Sequence, residues 1–100
     1  MTPNSDAPAV KFDSGKLKWS LLPLKATQQV VAVLNMGAAK YGANNWKKGL
    51  DDFDNRYFDA AVRHIMAWKS GEQKDSESGL HHLAHAVCCL LFLMWRNDPD

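Results

Sequence analysis

The chain has 100 residues, 46% of them hydrophobic and 23% charged, with a formal net charge of +1. That size fits one domain, and so short a chain leaves much of its surface exposed unless a partner covers it. Acids and bases are interspersed, so there is no broad basic field for non-specific binding, and no duplex nucleic acid is expected as a partner.

Residues 1–10 are rich in Pro, Ser, Asn and Ala and read as a flexible leader; a single helical domain occupies 11–100. The leader lacks the charged start and apolar core of a signal peptide. From 11 to 23 the chain is expected to be extended or turned, with Gly15 as a breaker and Trp19, Leu21 and Leu22 as apolar anchors. Pro23 disfavours helix at Leu22 and suits the entry to the helix that follows.

A first helix is predicted over about 24–40, with Val30, Val33, Leu34 and Ala38 at helical spacing and Gly42 placed for a C-cap. Residues 41–54 read as a polar loop carrying Trp46. A second helix is predicted over about 53–69 behind Asp51, Asp52 and Asp54, with Phe53, Tyr57, Ala60, Ala61, His64 and Trp68 on a buried face. A third is predicted from near Ser76 to Trp95, before Asn97 and Pro99.

Residues 86–95 are apolar all the way round the helix, whereas a helix on the surface of a monomer shows one apolar stripe and one polar face. A second chain is expected to cover the remainder. The apolar run 84–95 is interrupted by His85 and is too short to span a bilayer, so no membrane partner is expected. Cys88 and Cys89, the only cysteines, are adjacent in that run, which excludes a disulfide framework and fits reduced thiols in a cytoplasmic setting. The fold class is all-α: a small helical domain of three main helices around two long antiparallel ones, completed by homo-oligomerisation through the C-terminal helix.

Residues 71–85 hold the densest chemistry. Glu72, Asp75 and Glu77 offer hard oxygen ligands for Mg²⁺ or Mn²⁺, and His82 and His85, on one face, can ligate a transition metal or donate to phosphate. The structural alternative is that Asp75 or Ser76 caps the third helix, Glu77 complements its dipole and the histidines sit at a packed interface. His81 and His85 are also four apart, so the partner of His85 is open.

On the second helix, Arg63 can meet phosphate or pair with Asp59, and His64 can contact ligand or lie in the core. In residues 37–49, Lys40, Lys47 and Lys48 can meet phosphates, Tyr41 or Trp46 can stack on a base, and Asn45 can read a base edge. There is no Walker loop, Rossmann fingerprint, EF-hand or Gly-x-Ser-x-Gly elbow, and the cysteines lack a polar setting to activate a thiolate.

Taken in order, residues 11–16 with Trp19, Leu21, Leu22 and Pro23, then Gly37 to Gly42 with Asn45 and Trp46, then Arg63 and His64, then Gly71, Glu72, Asp75, Glu77, Ser78, Gly79, His82 and His85 make a pattern. It resembles the phage and bacterial dATP/dGTP diphosphohydrolase N-terminal domain family. The resemblance implies an α-helical nucleotide-binding domain whose relatives hydrolyse deoxypurine triphosphates to monophosphate and pyrophosphate with a divalent cation, distantly like MazG-type enzymes. Those carry metals on Glu-x-x-Glu and Glu-x-x-Asp helical pairs; this chain has neither, with Thr27, Gln28 and Gln29 on the first helix and Asp59 within the second.

The expected function is therefore a phage-type purine nucleotide hydrolase. Glu72, Asp75 and Glu77 would hold Mg²⁺ or Mn²⁺, His82 or His85 would act as base or further ligand, and Lys16, Lys40 and Arg63 would neutralise phosphate charge. Tyr41, Asn45, Trp46 and His64 would contact substrate. The alternatives are a nucleotide-binding module without catalysis, such as a sponge that sequesters a nucleotide signal, and a module that binds a host protein. If phage-encoded, the protein would act in the host cytoplasm.

Overall fold

A computed structural model describes residues 6–100. Three helices carry the fold, α1 (Leu24–Tyr41), α2 (Phe53–Lys69) and α3 (His82–Asn97), with short 3-10 turns at Trp19–Leu21 and Asn45–Lys48. The β-pairing among the described residues is an isolated antiparallel bridge between Lys74 and His81. The domain is all-α, as the periodicity predicts, and no helix among the described residues is long and apolar enough to cross a membrane.

The third helix begins at His82 rather than near Ser76, because residues 71–81 make a better local structure than a helical turn. The Asp75 carboxylate accepts from the backbone N–H groups of Glu77 (2.9 Å) and Ser78 (2.8 Å). Its own N–H donates to the Leu80 carbonyl at 2.8 Å, and the Gly79 N–H donates to the Asp75 carbonyl at 2.7 Å. Such an Asp-centred turn satisfies the groups a helix start would leave open. Gly79, at φ 73°, supplies the left-handed residue that closes it. Neither Asp75 nor Ser76 caps α3: His81 does, with its ring Nδ1 accepting from the Leu83 N–H at 3.0 Å, and no acid stands in the first turn.

Helices α2 and α3 are antiparallel neighbours: Arg96 lies over the Phe53 ring at 5.0 Å, Tyr57 meets Phe92 edge-on at 5.2 Å, and His64 meets His82 at the other end. Ala61, Ala84, Ala86, Cys88 and Cys89 are buried, and small side chains of this kind let helices pack closely. Phe53, 3% exposed, is the largest buried side chain, worth about 1.5–3 kcal/mol. Trp68, expected on the buried face, stays at its edge, 41% exposed.

Helix α1 joins through Val33, which packs with Ala84 and Cys88 and is flanked by Val30, Leu34, Met36, Leu80 and Phe92. The Cys88 thiol donates to the Val30 carbonyl at 3.4 Å. Both α1 and α2 rest on α3 but barely touch each other. The result is a cleft between α1 and α3, closed by residues 42–46 and by Tyr57 of α2.

The segment before α1 departs from expectation. Trp19, Leu21 and Leu22 are 74%, 81% and 42% exposed, so they are not anchored in a core among the described residues. The first α1 residue packed on the core is Val30. The radius of gyration is accordingly 19.0 Å, against about 13 Å for a compact chain of this length.

Candidate histidine and carboxylate centre

At the turn between α2 and α3, His64 meets the start of α3 and the 71–81 turn. His64 Nδ1 and His82 Nδ1 are 2.9 Å apart, and the His64 ring stacks on His85 at 4.5 Å with the planes 7° apart. One donor atom each from His64, Asp75 and His82 lies within 4.8 Å of the other two. His82 is buried, and its backbone N–H donates to the Gln73 carbonyl at 2.9 Å, fixing the start of α3 to the turn.

The tautomers follow from the contacts. At 2.9 Å one Nδ1 must carry the proton and the other accept it. The Glu72 carboxylate is 3.1 Å from His82 Nε2, and its charge favours a proton on that nitrogen, so His64 donates and His82 Nδ1 accepts. The carboxylate lies off the N–H direction: His82 Nε2 is a buried polar atom with a charge beside it but no hydrogen bond. Ser78 Oγ accepts from the Leu80 N–H at 3.1 Å and stands 2.7 Å from His85 Nε2. The 2.7 Å contact ties the His85 ring to the turn, its direction set by the imidazole tautomer.

Burial first, then the neighbouring imidazoles His85 and His82, hold His64 below the usual histidine range. Burial does the same to His85 against the opposing pull of Asp75. The Asp75 carboxyl is held below the ordinary carboxylate value, chiefly by the Ser78 N–H. Near neutral pH His64 and His85 are therefore neutral beside an ionised Asp75, the protonation states that metal ligation needs. Burial pushes Cys88 up to about 12 and Cys89 up to about 11, so neither is a nucleophile.

His85 also lines the cleft, a cavity of about 420 Å³. Tyr41, Asn44, Asn45 and Trp46 form its rim and Cys88, Cys89 and Phe92 its floor. The cavity is apolar with a few polar groups, as small-molecule sites are. Trp46 is committed within the protein, stacked on Phe92 at 4.2 Å and edge-on to Trp95 at 5.0 Å.

Of the residues singled out from sequence, the fold brings Glu72, Asp75, His64, His82 and His85 together. Lys40 reaches the turn through Glu77 at 3.7 Å, an exposed pair, and Glu77 is not among the converging donors. Tyr41, Asn45 and Trp46 meet at the cleft. Arg63 borders a separate cavity of about 310 Å³ with Arg56 and Asp59, and Lys16 lies on the exposed N-terminal segment. Sequence reading passed over Ser78 as a functional residue; a serine seven positions before a histidine carries no recognisable spacing, and only the Asp75 turn brings the two together.

Residues 6–99 match the family described as dATP/dGTP diphosphohydrolase, N-terminal. A dATP/dGTP diphosphohydrolase of Salmonella phage PMBT28 is 42% identical over 92 residues, covering 90% of this chain and 31% of the relative. The chain thus spans about a third of that relative's length. No solved structure matches.

Proposed function

Starting from its membership of the dATP/dGTP diphosphohydrolase N-terminal family, we propose that this chain binds a deoxypurine triphosphate in the α1–α3 cleft and hydrolyses it to monophosphate and pyrophosphate at the histidine centre. The observation that carries this reading is the convergence of His64, Asp75 and His82 within 4.8 Å, next to a cavity that shares His85 with it. With its Nε2 proton turned to Glu72, His82 offers Nδ1, and that nitrogen with the His64 and Asp75 donors fits a divalent cation. Two imidazoles and one carboxylate suit Mn²⁺ better than the all-oxygen preference of Mg²⁺.

His64, Asp75 and His82 would hold the ion, with Glu72 steering His82 from outside. Such an ion supplies charge neutralisation on the phosphates and a water of lowered pKa. The protein's own groups do the rest. His85, held below the usual histidine range by burial, would accept the proton of the attacking water, with Ser78 orienting its ring. Lys40, held toward the turn by Glu77, meets phosphate charge. Tyr41 and Asn45 hold the base over the apolar floor of the cleft, while Trp46 shapes its wall. Lys16 and Arg63 stand outside the centre, so their part in phosphate binding is secondary.

A second reading is favoured by the single carboxylate in the converging set and by the relative's greater length. In it the domain holds the nucleotide without cleaving it. Incubation with a panel of nucleoside triphosphates, with and without Mn²⁺ or Mg²⁺, followed by chromatography of free and protein-released nucleotide, separates the two. Hydrolysis yields dAMP or dGMP with pyrophosphate, and Asp75→Asn lowers turnover by at least ~100-fold while keeping the turn, because the amide oxygen accepts the same N–H groups. Intact nucleotide released without product supports the binding module instead.

A further inference from the structure

The isolated chain exposes 8313 Å². A folded monomer of 11.2 kDa is expected to expose about 5,700 Å², which leaves a surplus of roughly 2,600 Å². Part of this belongs to the extended N-terminal segment, and much of it is apolar. Phe12, Leu17, Trp19, Leu21 and Leu24 are 73–88% exposed, and the aromatic rings among them have no ring partner among the described residues. Over two copies the surplus comes to roughly 5,200 Å², at the upper end of what obligate homodimers bury over both partners, about 2,000–5,000 Å².

A receiving surface exists elsewhere on the same molecule. Val87, Leu90, Leu91 and Met94 recur at helical spacing along the outer face of α3, each 39–67% exposed. Because α2 and α3 are antiparallel, the C-terminal end of this stripe lies beside the start of α2. There Asp51, Asp52, Asp54 and Asp59 outnumber Arg56, Arg63 and Arg96, the last of which lies over the Phe53 ring. The segment before and into α1 is of opposite sign, with Lys11, Lys16, Lys18 and Lys25 against Asp13. These four lysines make no ion pair among the described residues.

We propose that the arm formed by residues 12–24 docks on the outer face of α3 of a second copy of this chain. Trp19, Leu17 and Leu21 cover the Val87, Leu90, Leu91 and Met94 stripe, and the arm lysines face the acidic entrance of α2. Reciprocal exchange about a two-fold axis satisfies both surfaces on both copies and closes the assembly without further growth. The exchange covers the apolar anchors that the single chain leaves bare, and it is independent of whether the histidine centre cleaves nucleotide.

Sedimentation of the full chain at tens of micromolar tests the docking. The native protein is expected at twice the chain mass, and Trp19→Asp and Leu90→Asp each at the mass of one chain with unchanged helical circular dichroism. Should Leu90→Asp fail to fold, a p-benzoylphenylalanine photocrosslinker in place of Trp19 addresses the same contact in the otherwise native protein. In a mixture of isotope-labelled and unlabelled chains, crosslinks are expected between differently labelled chains and onto residues 82–97. A native protein that sediments as one chain, a Trp19→Asp protein that keeps the native mass, or crosslinks confined to one chain would overturn the proposal.

Discussion

The two ends of this molecule handle their side chains in opposite ways. At the 71–81 turn, polar groups find partners within a few residues or across one helix pair: Asp75 with the N–H groups of Glu77 and Ser78, Ser78 with Leu80 and His85, His82 with His64 and Glu72. In the N-terminal arm, large apolar groups stay exposed. Polar contacts are directional and short-ranged, so a folded monomer can complete them. Apolar burial needs area, and a chain whose buried core is made mostly of small residues has little area to spare.

The largest effect expected on folding comes from the tight region. Ala61 is 1% exposed on α2, and enlarging it to leucine forces side chains off their rotamers or the helices apart. Ala61→Leu is expected to lower stability by about 1–3 kcal/mol in denaturant titration. Leucine in place of the exposed Val10 should leave the midpoint unchanged within error, and equal losses at both positions would erase the contrast.

A smaller effect separates the regions by pH. His64 and His85 bind protons less readily folded than unfolded, so the unfolded chain gains protons first as pH falls. Stability is therefore full above the ordinary histidine value of about 6.5 and declines as pH drops below it. In chelator, the midpoint at pH 5.5 is expected to lie below that at pH 7.5, and the gap to shrink in a His64→Gln, His85→Gln variant. An unchanged gap would place the titrating groups elsewhere.

Much of this was legible in the sequence where the signal is local. The first two helices follow from the spacing of Val30, Val33 and Leu34, from that of Phe53, Tyr57 and Ala61, and from Gly42 past the end of the first. The start of the third was misread because Asp75, a plausible helix cap by residue type, instead organises a turn, and the choice between them rests on backbone contacts that no pattern records. His64 is 18 positions from His82; their meeting depends on the register of α2 against α3. The acidic and histidine cluster was visible as a cluster, but its division was not: Asp75 and Glu72 turn inward while Glu77 pairs outward with Lys40. Trp19 and Leu21 were legible as apolar anchors, yet apolarity alone does not say which chain they anchor to.

The centre itself is tested most directly by titrating the purified chain with Mn²⁺ and following the free ion by electron paramagnetic resonance. Saturation is expected at one ion per chain, with affinity falling as pH drops toward 5.5. Removal of a steering carboxylate by Glu72→Gln is expected to weaken binding about 10–100-fold, and His82→Ala to abolish it while the helical signal persists. Absence of a saturable site in the native chain, or a site that survives His82→Ala undiminished, would contradict a metal centre at His64, Asp75 and His82.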